Sequence, residues 1–141
     1  MERNFTIVGG IHLLQGLYQL DLHNQYSFTD LAYSLLDRTL VLTWKRSDRG
    51  QQETDGPRMV QILFSDVQEF RFRPRRQDMP YTEDDCVSTI GYWTDQEWAG
   101  GVLMTDDHDG VDPSWLTAIQ FMSGAIVIVR ASFARASIHE K

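Results

Sequence analysis

The sequence predicts a mainly β domain, an antiparallel sandwich or up-and-down barrel of about eight or nine strands, and three observations carry that expectation. Period-two alternation of apolar and polar residues recurs from one end of the chain to the other. The alternating runs are short and separated by turn-forming residues, the pattern of all-β sandwiches and barrels. Helical periodicity is weak outside one stretch near the amino terminus.

That stretch is Ile11 to Leu20. Ile11, Leu14 and Tyr18 fit a helix face, whereas Tyr18, Leu20 and Leu22 fit a strand, so one short N-terminal helix could precede or cap the sheet. "LYQLDLH" and "YSFTDLAYSLL" then read as strands. In "TLVLTWK", Leu40, Leu42 and Trp44 share one face while Thr39, Val41, Thr43 and Lys45 share the other, as a half-buried strand requires. "RSDRGQQETDGP" is a polar connection to "RMVQILF", where Val60, Ile62 and Phe64 align. "EFRFR" alternates Phe70 and Phe72 with Glu69, Arg71 and Arg73, which places both phenylalanines in the expected core. "CVSTIGYW", "AGGVLMT", "WLTAIQFM" and "AIVIVRASF" complete the set, the last two joined by a two-residue turn at Ser123 and Gly124.

The chain of 141 residues has neither an internal repeat nor a linker long enough to divide it, so residues 1–141 are expected to form one domain. With 42% hydrophobic and 23% charged residues it is a folding sequence, not a disordered one. The single cysteine, Cys86, cannot close an intramolecular disulfide, which fits a reducing compartment and a cytoplasmic location. No signal peptide is read in "MERNFTIVGGIHLLQG", and no apolar run approaches the roughly 20 residues that span a bilayer.

The net charge of -7 is unevenly spread. From Gln77 to Gln120 there is no lysine or arginine, and ten carboxylates give that segment -10. Arg38 to Arg76 carries nine basic residues against five acids, hence +4. Aspartate is favoured in turns, so solvated loop charge is one reading of the acidic segment. The other is an acidic surface for a basic macromolecular partner, with Asp84, Asp85, Asp95, Glu97, Asp106, Asp107 and Asp109 as candidate contacts.

"TDDHDGVDPSW", Thr105 to Trp115, invites comparison with a calcium loop. Asp107, Asp109 and Gly110 fit its third, fifth and sixth positions, but Thr105 and Leu116 fall where the leading and closing carboxylates belong. No metal site is expected there. Zinc is not expected either, because His12, His23, His108 and His139 are scattered and no C-x-x-C or H-E-x-x-H spacing exists. "FRFRPRR" interleaves aromatic and basic residues, yet alternation sends them to opposite faces, which with the acidic total argues against nucleic acid. Asp95 and Glu97 between Trp93 and Trp98 could serve a sugar site, and could equally be a hairpin turn between core tryptophans. Cys86 has no histidine at an informative spacing, and no nucleophile, phosphate-loop or dinucleotide motif is present. A non-enzymatic protein without a cofactor is expected.

The segments "TLVLTWK", "RMVQILFSDVQEFRF" and "WLTAIQFMSGAIVIVRASFARASI", with an F-x-x-V step from Phe64 to Val67 and a late turn at Gly124, resemble small uncharacterised bacterial β-rich families. Some of these are immunity proteins of bacterial toxin systems. The resemblance covers about half the chain and implies a cytoplasmic inhibitor that blocks a toxin by binding it. Two readings from other classes stay open: a small-ligand binder or enzyme using a barrel interior, and a structural subunit whose strands pair into an oligomer.

Overall fold

The computed structural model describes residues 1–47, 56–94, 102–104 and 114–140. The alternating runs become strands β1 (Glu2–Arg3), β2 (Thr6–Val8), β3 (His12–Gln15), β4 (Tyr18–Asp21), β5 (Tyr26–Ser34), β6 (Thr39–Arg46), β7 (Met59–Arg73), β8 (Val87–Thr94), β9 (Val102–Met104), β10 (Leu116–Phe121) and β11 (Ile126–His139). One turn of 3-10 helix, Tyr81–Glu83, precedes β8, and no α-helix occurs among the described residues.

Eight strands form one sheet in the order β5-β6-β7-β11-β10-β8-β9, antiparallel throughout, with β1 added in parallel to β11. The sheet curls into a half-barrel, and β2-β3-β4 make a small second sheet. The curl brings edge strand β5 to the start of β8: the Phe28 N–H donates to the Asp85 carbonyl at 2.8 Å. The Phe28 ring lies 5.2 Å from Trp44 and 4.9 Å from Phe121, closing the seam with aromatic contacts.

The interior is filled by side chains. Leu40, Leu42, Trp44, Val60, Ile62 and Phe64 are fully buried, as their alternation predicts, and Ile7, Leu13, Leu20 and Leu22 of the small sheet and its flanks join the same cluster. A second cluster of Trp93, Leu116, Ala118 and Ile128 lies apart from it. On β10, Leu116 and Ala118 alternate with Thr117 and Ile119, so that strand is buried on both faces. This accounts for the near-continuous apolar run there.

Four expectations need correction. Ile11 to Leu20 holds no helix but the β3–β4 hairpin, in which Leu13 pairs with Leu20 and Gly16 takes a φ of +58° in a two-residue turn. "RMVQILF" and "EFRFR" are one strand, β7, interrupted by a bulge: Glu69 pairs with Arg130 and Val67 with Ala131, leaving Gln68 extra. The β10–β11 turn has three residues, Met122 to Gly124, closed by Phe121 N–H to Ala125 carbonyl at 2.9 Å.

The fourth concerns Phe72. Its register partner Val127 is buried, but Phe72 is 58% exposed, so it is not a core residue. The β6 ladder on β7 ends at the Leu40–Phe64 pair, which leaves the distal half of β7 with a strand on one side only among the described residues. Phe70, one step nearer the cover, remains half-buried and packs on Tyr33 at 5.3 Å.

Candidate functional site

Strand register decides which of the candidate acids can act together. Asp84 and Asp85 precede β8, whereas Asp95 and Glu97 follow it, and β8 spans about 23 Å at roughly 3.3 Å per residue. Asp95, Glu97, Asp106, Asp107 and Asp109 lie outside the described residues. The strand residues that bracket them are close neighbours: Thr94 pairs with Val102, Tyr92 with Met104 and Trp93 with Leu116. The described residues that bracket 95–101 and 105–113 thus lie beside the C-terminal half of β8. Of the seven candidates, Asp84 and Asp85 are the two that fall among the described residues.

At the N-terminal end the acids are already engaged. Arg75 Nε donates to Asp84 Oδ1 at 2.8 Å and its Nη2 to the Met79 carbonyl at 2.5 Å, while its guanidinium lies 4.5 Å from the centre of the Tyr81 ring. Arg76 Nη2 meets Asp78 Oδ2 at 2.9 Å. Two arginines of the basic segment thus fold the 74–86 connection on itself and offset its charge. The Asp85 side chain is half-buried and its carbonyl holds the β5 seam.

Sequence spacing missed one pairing. Cys86 Sγ lies 3.6 Å from His23 Nδ1, across 63 residues of chain. A local turn aims the imidazole: the Asp21 carboxylate accepts the backbone N–H of His23 at 3.0 Å and of Asn24 at 2.8 Å. His23 Nδ1 is also 2.5 Å from the Val87 carbonyl. A carbonyl can only accept, so that nitrogen carries a proton and cannot take one from the thiol. In this arrangement Nδ1 therefore does not serve as a base for the Cys86 thiol. No group of three or more metal-ligating side chains occurs among the described residues.

A separate groove of about 600 Å³ opens beside the β3–β4 turn, lined by Leu17, Tyr18, Gln19, Leu20, Gln25, Tyr26, Arg46, Gly56, Pro57, Arg58 and Glu140. Its wall is fixed by the buried Tyr26, whose hydroxyl donates to the Pro57 carbonyl at 2.8 Å. The Tyr18 hydroxyl hydrogen-bonds Glu140, which raises the phenol's pKa because a carboxylate acceptor favours the protonated form. Arg46 Nη1 donates to the Gly56 carbonyl at 3.1 Å.

Comparison of the chain with protein-family models, with curated proteins and with solved structures gives no match.

Proposed function

We propose that the protein is a non-enzymatic binding domain that meets a basic macromolecular partner through the acidic connections at the C-terminal end of β8, in the manner of an immunity-type inhibitor acting in the cytoplasm. The observation that carries this reading is the 44-residue run from Gln77 to Gln120 without lysine or arginine, whose acids beyond β8 are all bracketed by neighbouring strand residues. A run of carboxylates without compensating cations raises the local concentration of a cationic partner and accelerates its docking. The filled interior of the half-barrel favours a surface function over a ligand held inside it. No helix among the described residues is long and apolar enough to cross a membrane.

The test is affinity capture with the wild-type chain and with a variant carrying Asp106→Asn, Asp107→Asn and Asp109→Asn, followed by mass spectrometry. The reading expects a basic protein retained by the wild type and weakened by the variant and by salt. Retention of the same partner irrespective of both would place recognition elsewhere.

The groove supports a second reading, a binder of small anions, because Arg46 and Arg58 line it together with Gln19 and Gln25. Calorimetric titration with small dicarboxylates, compared with Arg58→Ala, distinguishes it from the first.

A further inference from the structure

We propose that a second copy of this chain pairs antiparallel with the distal edge of β7, over Gln68 to Phe72, so that two half-barrels join through a continuous sheet about a two-fold axis. β7 outruns its neighbour. Its ladder with β6 stops at Phe64, and the last contact on that side is the Val67 N–H donating to the Arg38 carbonyl at 2.9 Å. Beyond it, β7 pairs with β11 through Arg73 but has no strand on its other side among the described residues. Such an edge offers backbone donors and acceptors to any extended segment.

The edge carries its own complement. In an antiparallel pairing centred on Phe70, Glu69 of each copy faces Arg71 of the other, the two Phe70 rings meet, and each Phe72 faces Gln68. Opposite charges and aromatic rings directly across a ladder are the stabilising cross-strand pairs. Glu69 and Arg71 already lie on one face, 2.8 Å apart, with Arg130 at 3.4 Å from the same carboxylate, so pairing would interleave two preformed ion clusters. On the other face Phe70 is supported by Tyr33, and Phe72 has 58% of its surface exposed. Leu35 and Leu36, in the adjacent β5–β6 turn, are 80% and 97% exposed and extend the apolar surface beside this edge. A two-fold contact needs one self-complementary patch, and this strand supplies it. The edge ends at Pro74, which has no N–H to continue the ladder.

Sedimentation equilibrium on the full chain, at concentrations up to about 100 µM, is the test, since a short edge contact belongs to the weaker interface class. A dimer is expected for the wild type. Glu69→Arg or Arg71→Glu alone places like charges opposite each other twice and should weaken association on the order of tenfold or more. The swap of both, Glu69→Arg with Arg71→Glu, restores opposite charges across the axis and should recover it. Phe72→Lys, at an exposed position outside the ion cluster, should weaken the dimer without lowering the thermal midpoint. A wild type that is monomeric throughout overturns the proposal, and so does a dimer insensitive to the single reversals and to Phe72→Lys. Reversals that weaken the dimer without recovery in the swap overturn the register.

Discussion

Arg75 and Asp84 meet at 2.8 Å through Nε and Oδ1, tying the last residues after β7 to the acidic turn before β8. The contact neutralises one of the candidate carboxylates. Both side chains retain solvent exposure, so removing the pair with Asp84→Asn should cost under about 1 kcal/mol of stability. The same variant should leave partner association unchanged. Chemical denaturation and capture of the basic partner check the two halves separately.

Trp44 is fully buried on β6, with the Phe28 ring at 5.2 Å. Trp44→Ala removes its packing against the seam and should cost about 3 to 5 kcal/mol in denaturant unfolding. Phe72→Ala, at the uncovered end of β7, should stay within about 0.5 kcal/mol of the wild type. Equal losses at the two sites would contradict the placement of the core.

Gly124 holds a φ of +91° in the β10–β11 turn, and a Cβ built there would lie 2.7 Å from Arg76 Cγ. The Arg76 backbone N–H is held by the Ser123 carbonyl at 2.8 Å, so displacing Cγ, close to that backbone, adds to the backbone strain. Gly124→Ala should lose about 1 to 2 kcal/mol. Gly9→Ala, at a φ of +63° with nothing within 4 Å, isolates the backbone contribution. A smaller loss at Gly9 than at Gly124 would measure the part due to Arg76.

The core of β6 and proximal β7 was legible because alternation is a local property, and Leu40, Leu42, Trp44, Val60, Ile62 and Phe64 are all buried by it. It failed where a long-range feature intervenes. Phe72 keeps the correct parity but lies beyond the end of the β6 ladder, a fact set by strand length and not by the residues around it. Ile11 to Leu20 was readable as helix, through Ile11, Leu14 and Tyr18, or as strand, through Tyr18, Leu20 and Leu22, because only the turn at Gly16, which sets Leu13 opposite Leu20, decides between them. The β9-β8-β10 neighbourhood, which brings Thr94 beside Val102 and Trp93 beside Leu116, is a long-range pairing that composition does not encode. His23 and Cys86 meet only because the β5 seam brings the turn before β5 to the start of β8.

Asp66 sits on β7 with a φ of +53°, a conformation aspartate tolerates, and its carboxylate accepts a hydrogen bond from the Ser132 hydroxyl of β11. That bond, with Arg38 at 3.5 Å and the Gln68 amide as further aids, holds its pKa below the ordinary 3.8. A depressed folded-state pKa stabilises the fold above the unfolded value, and the contribution is lost as pH falls through the folded one. Ser132→Ala should therefore raise the Asp66 pKa toward 3.8. Carboxyl-carbon NMR titration reads the shift directly, and an unchanged value would show that the hydroxyl does not set it.

The acidic connections beyond β8 should govern the rate of partner encounter more than the lifetime of the complex. Their charge is not offset within the segment, since Gln77 to Gln120 holds no lysine or arginine. Loop carboxylates around a contact act mainly by steering, and their field reaches only about 8 Å at physiological ionic strength. Neutralising Asp106, Asp107 and Asp109 together should slow association and reduce its dependence on salt, with dissociation little changed. Stability is expected to stay within about 1 kcal/mol, the usual scale for solvated loop charge. Stopped-flow mixing with the captured partner at two ionic strengths separates the rates. An association rate indifferent to salt and to the triple substitution would make this segment a solvated face, and a change confined to dissociation would make these residues buried contacts instead of a steering field.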